Sequence, residues 1–151
     1  MKYTRQPAYL GMVCAALAAC GVKDPQTGNP NGSARSIPVQ VLIRRLAEIA
    51  GQANQAAPAD VDANTRLDGA KAGPGLRLTS TYTLVNSESE GMTRTTFETK
   101  LTPTIKEGSC QNPDLRPLID QGVVVVLEYY GSDGNRIGTV SVDRATCSAI
   151  Q

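Results

Sequence analysis

Apolar positions recur at helical spacing along one stretch of this chain. Val39, Leu42, Ile43, Leu46, Ile49 and Ala50 share a face, while Arg44, Arg45 and Glu48 point elsewhere. The pattern predicts an amphipathic helix over 37–54. Ser36 is its expected N-cap, and Pro38 falls in the first turn, where a missing N–H costs nothing. Packing on a sheet is the expected use of its apolar face; a free partner-binding helix is the alternative.

Beyond Pro58 the period changes to two. Val61, Ala63, Thr65 and Leu67 alternate with Asp62, Asn64, Arg66 and Asp68, which predicts a half-buried strand over 61–71. Gly73-Pro74-Gly75 is turn chemistry, and a second strand follows with Leu76, Leu78, Tyr82 and Leu84 on one face. Phe97, Leu101 and Ile105 then recur every fourth residue. Pro103 interrupts them, so 93–107 is expected as an irregular or broken helix ending at Gly108. A short helical turn over 113–120 carries Leu115, Leu118 and Ile119. Four valines and Leu127 predict a strand over 123–130 buried on both faces. The segment 131–135 is a hairpin loop, and the last strand, 136–143, turns Val140 and Val142 inward. The order is α-β-β-α-β-β. The expected fold is α+β: a four-stranded antiparallel sheet with helices packed on one face.

The N-terminus carries a different signal. Lys2 and Arg5 precede a mostly apolar run over 8–19, far shorter than the ~20 residues that span a bilayer. The run ends in Leu17-Ala18-Ala19-Cys20, which resembles the lipobox of bacterial lipoproteins. The resemblance implies cleavage before Cys20, acylation of that cysteine, and membrane attachment through the lipid. Gly21 after the cysteine implies the outer membrane, with the protein facing the periplasm. A soluble periplasmic form, cut after Ala16-Leu17-Ala18, is the alternative. The division is then 1–19 signal peptide, 20–36 flexible tether rich in Gly, Pro, Asn and Ser, and 37–151 one α+β domain.

Cysteine use follows from export. Cys14 leaves with the signal and Cys20 takes lipid, so Cys110 and Cys147 remain to form one disulfide in an oxidising compartment. Such a bond stabilises by roughly 3–4 kcal/mol on a chain-entropy argument. Loss of Lys2 and Arg5 from 15 basic side chains leaves a slight excess of the 14 acidic ones, interspersed without blocks. That excludes a nucleic-acid footprint and a polybasic membrane patch. The chain has no histidine and no GxSxG, HExxH or phosphate-loop pattern. The acid pairs Asp60/Asp62 and Glu88/Glu90 read as solvated surface. No catalytic residue, metal site or cofactor is expected.

The stretches 62–68, 72–75 and 82–86, with Cys110, the strand after Gly122 and Cys147, are similar to a group of small exported bacterial proteins. That resemblance brings no activity with it. Asp62, Arg66 and Asp68 form an ordered polar stripe on the first strand, expected at a free sheet edge where a partner strand docks. The expected function is a non-catalytic envelope lipoprotein that binds a protein partner, with an accessory subunit of an envelope assembly as one such role. A periplasmic inhibitor or immunity protein, and a small-molecule or peptidoglycan-binding module, are the rivals.

Overall fold

A computed structural model describes residues 37–150. The signal segment, Cys20 and the tether lie outside them.

Helix α1 (Val39–Ala56) forms where the 3.6-residue period predicts it, and buries Leu42, Leu46 and Ala50. Pro38 rather than Ser36 is the N-cap. It has no N–H to lose, and its carbonyl accepts from the amides of Val41 and Leu42 at 2.9 and 3.1 Å. The helix stops at Ala56 because Pro58 forces Ala57 into extended backbone.

The first predicted strand is in fact a hairpin. β1 (Ala59–Asp60) turns back through 61–64 onto β2 (Thr65–Ala72), pairing with Leu67 and Arg66. The Asp62 carboxylate accepts from the Asn64 amide at 2.8 Å, and the Val61 amide donates to the Thr65 carbonyl at 2.8 Å. Local side-chain-to-backbone bonding therefore wins over extension, and Val61 is left exposed. β3 (Arg77–Leu84) pairs antiparallel with β2, with a bulge between Leu67 and Gly69.

The chain then crosses over. A three-residue turn, α2 (Arg94–Thr96), runs into a π-helical turn, Phe97–Leu101, and on into α3 (Thr102–Gln111). The Phe97 carbonyl accepts from both the Thr102 amide and its hydroxyl. This wide turn shifts the register so that Pro103 falls in the first turn of α3, where proline is tolerated. The helix is thus continued, not broken. It passes Gly108 and carries Cys110 in its last turn, correcting the expected end at Gly108. The short α4 (Arg116–Asp120) follows, and Gly122, at φ 92°, swings the chain into β4 (Val124–Gly131).

β4 returns parallel to β3, from Arg77 opposite Val124 to Leu84 opposite Gly131. β5 (Arg136–Val142) closes the sheet antiparallel to β4. The sheet has five strands in order β1-β2-β3-β4-β5 with one parallel pair, where four antiparallel strands were expected. The cause is the crossover: helices between β3 and β4 carry the chain back to the end where β3 began. A last helix, α5 (Arg144–Ala149), which periodicity did not reveal, is capped by Asp143, whose carboxylate accepts from the Thr146 amide at 2.8 Å.

One core lies between sheet and helices. It holds Leu42 and Leu46 from α1, Leu78 from β3, Phe97, Ile119, and Val125, Leu127, Val140 and Val142 from β4 and β5. Cys110 and Cys147 are buried in it and joined, with Cα atoms 5.4 Å apart, which ties α3 to α5. The opposite face of the sheet, with Thr81, Thr83, Glu128, Thr139 and Ser141, contributes nothing to this core.

Candidate functional site

The helical layer leaves part of its own side of the sheet uncovered. A cleft of 340 Å³ opens there, between β3 and β4 on one wall and the π turn and α3 on the other. Its sheet wall is Tyr82, Leu84, Leu127 and Tyr129. Its helical wall is Leu101, Ile105, Gly108 and Ser109. Leu115 and Asn112, with Val61, Asp62 and Thr65 of the β1–β2 hairpin, complete the lining. Leu84, Leu101, Ile105 and Leu115 are half-buried, packed on the core with one side still open to the cleft. They follow from the sequence in a simple way. Leu101 and Ile105 continue the Phe97 face of the helix, and Tyr82, Leu84, Leu127 and Tyr129 are the core-facing members of two alternating strands.

The aromatic part of the wall is a chain of ring contacts. Tyr82 and Tyr129 stack with centroids 5.3 Å apart at 20°, and Phe97 tilts against Tyr129 at 5.6 Å and 56°. Burial away from water pushes the Tyr129 phenol up to about 12, with Tyr82 and the Asp62 carboxylate adding to the shift. Burial also raises Tyr82, against an opposing hydrogen bond from Ser80. The sign follows. Below pH 10 these phenols are neutral folded and unfolded, so their contribution to stability is complete. As pH rises toward about 12 the unfolded chain ionises first, and the contribution is lost. Ultraviolet difference titration should therefore show a tyrosine with a midpoint near 12, and stability should fall across the same window. A Tyr129→Phe variant that keeps that midpoint would contradict the assignment.

The structure divides the polar stripe that the sequence grouped. Asp62 stands at the rim of the cleft. Arg66 and Asp68 sit with Thr83 of the opposite face: the Arg66 guanidinium donates to Asp68 at 2.7 Å, and the Thr83 hydroxyl donates to the same carboxylate at 2.5 Å. The expected free edge is absent here, because β1 pairs with Arg66 and Leu67. Asp68 is the residue displaced by the bulge. With the Arg66 side chain 42% exposed, the pair contributes little stability. The cleft residues themselves carried no signal in the sequence, since Leu101, Ile105 and Tyr129 look like ordinary core positions. No group of three or more potential metal ligands occurs among the described residues.

No protein-family profile matches the chain, and no curated protein does. Three solved structures share its fold. A protein of Pseudomonas aeruginosa described as secreted aligns with a TM-score of 0.61 at 17% identity, covering 72% of this chain and 95% of that one. The pilotin EpsS of the Vibrio vulnificus type 2 secretion system aligns with a TM-score of 0.58 at 15% identity, covering 72% and 94%. The type II secretion pilotin AspS of Vibrio cholerae gives 0.58 at 16% identity, with the same coverage. At these identities the likeness is one of fold.

Proposed function

We propose that this chain is an exported, non-catalytic lipoprotein whose domain docks an apolar segment of another protein in the cleft between α3 and the sheet. Cys20 would carry the lipid and hold the protein at the outer membrane, facing the periplasm. Residues 21–36 would let domain 37–151 reach a partner. The partner would belong to an envelope assembly of the secretion-system kind, as suggested by the fold shared with two type II pilotins. One observation carries the reading: a wall of half-buried leucine, isoleucine and tyrosine stands open to solvent beside a complete core. Apolar side chains in that position gain by being covered. Asp62 and Asn112 at the margin supply polar groups that orient a segment without contributing much energy. The absence of any histidine from the chain favours binding over acid–base chemistry.

Ile105→Glu is the decisive variant. It places a charge on the cleft wall at a half-buried position of α3. Loss of one covered isoleucine weakens binding roughly ten- to a hundredfold; because Ile105 also packs on the core, a fall in melting temperature is expected and binding is compared where both proteins are folded. Affinity capture from solubilised envelope should return one protein in fixed ratio with wild type and lose it with Ile105→Glu. If that partner is an envelope structural subunit, the assembly role stands; a hydrolase or toxin would mean an inhibitor. Equal recovery on the variant would rule the cleft out. Cys20→Ala should release the protein from the membrane fraction or stall its processing, and an unacylated mature N-terminus would remove the anchor from the proposal.

A further inference from the structure

The two edges of the sheet are finished differently. At the β2 edge the protein closes what β1 leaves open. The Asn54 side chain, from the last turns of α1, accepts from the Ala70 amide at 2.7 Å and donates to the Ala70 carbonyl at 2.8 Å. A Cβ on the neighbouring Gly69 would come within 2.9 Å of that Asn54 oxygen, so the backbone there is kept bare for the contact. Side-chain capping and a bulge of this kind stop further strands from adding to an edge.

The β5 edge has no such closure. From Ile137 to Val142 it carries no charge and no proline. The hairpin sets which of its groups point outward. The Gly131 amide donates to Asn135 at 2.8 Å and the Gly134 amide to Gly131 at 3.0 Å, a closing pair built on Gly134 at φ 77°. Bonded and non-bonded pairs alternate from there, through the bulge beside Tyr129 and Tyr130. Gly138, Val140 and Val142 therefore bond β4, and Thr139 and Ser141 point their N–H and C=O groups away from the sheet. Both residues are exposed. Beside this edge lies a hollow of 610 Å³, walled by Arg136 to Thr139 on one side and by Arg94, Phe97 and Glu98 on the other, with Met92 at its margin. Arg94 is already paired with Glu98 at 2.7 Å. Arg136 makes no side-chain hydrogen bond or ion pair with any described residue.

The geometry points to β5 as a second docking site, distinct from the apolar cleft: an extended segment of a partner protein adds to the sheet as a sixth strand along Thr139 and Ser141. Strand addition of this kind takes its affinity from main-chain hydrogen bonds and its specificity from alternate side chains. Here the inward side chains would enter the hollow beside Met92, Thr93, Arg94 and Glu98, a mixed lining that takes small or polar side chains. The residue beside Arg136 would be acidic, answering the free guanidinium. A partner strand is favoured over a second copy of β5. In an antiparallel self-pairing along Thr139 and Ser141, Arg136 would lie opposite Val142 or Arg144, neither of which is acidic, so its charge would go unanswered.

The test selects a displayed library of random short peptides against the full chain in detergent, with the disulfide intact. Selected peptides should share an acidic residue at a fixed position, and adding one should slow hydrogen exchange at the Thr139 and Ser141 amides. Thr139→Pro removes an outward donor that β4 does not use and should weaken binding at least about tenfold. Arg136→Glu should turn the selected preference from acidic to basic, which covers the case in which the proline variant unfolds. Ile105→Glu should leave peptide binding unchanged, so failure here and failure of the cleft are separable. The proposal is overturned by selection of no peptide, by protection confined to cleft residues, by equal selection on Arg136→Glu, or by protection of Thr139 that rises with protein concentration alone. The last result would give the edge to a second copy.

Discussion

Cys110→Ala/Cys147→Ala is expected to lower the unfolding free energy by about 4 kcal/mol. The two cysteines lie 37 residues apart, and the chain-entropy cost of closing a loop of that length gives this figure. The bond is also the covalent tie between α3 and α5. Other ties of α5 and its cap are light: the Asp143 cap to Thr146, and the Arg144 guanidinium on the Asp120 carbonyl. Because α3 forms one wall of the cleft, the loss should loosen that wall before the sheet. Denaturant unfolding of the variant, beside wild type with and without reductant, reads the effect. Reduced wild type should match the variant, and a loss below about 1 kcal/mol would show that packing alone holds the two helices together.

Gly138→Ala is expected to cost about 3 kcal/mol, the upper part of the range for an overfilled core. A Cβ at Gly138 would strike the edge of the Phe97 ring. Phe97 is only 1% exposed and is held against Tyr129, which is itself stacked on Tyr82, so any shift of the ring disturbs that packing. Phe97→Leu on the same background removes the obstructing ring atoms. The double variant should therefore be less destabilised than the two single changes together, by about 1 kcal/mol or more. Simple additivity in thermal or denaturant unfolding would mean that the glycine is needed for backbone freedom and not for the ring.

Much of the local structure was legible. Leu42, Leu46 and Ala50 repeat every fourth residue, and a helix face is a property of the segment alone. β3 and β4 were legible for the same reason, and so was the hairpin loop before β5. Pro103 was read correctly as a problem for a straight helix, but its solution was not readable. A π turn depends on Phe97 being drawn into the core from its own end of the segment. The alternation from Val61 to Asp68 misled because it is shared by a strand and by a tight hairpin. What separates them is Asp62 bonding the Asn64 amide, together with β1 finding β2.

By itself the sequence determined which face of α1 meets the core, the inward positions of β3 and β4, and the turn at 73–75, and its composition holds no histidine. Those are properties of short range or of composition. Only the tertiary structure decided that β3 and β4 run parallel, that Arg66 and Asp68 stand on the opposite face from Asp62, and that Tyr129, Leu101 and Ile105 border a cleft. A period of two says which side of a strand a residue takes, and nothing about which strand lies beside it or in which direction. A cleft is a gap between elements, set by how far α3 reaches across the sheet, and no residue of the chain encodes it alone.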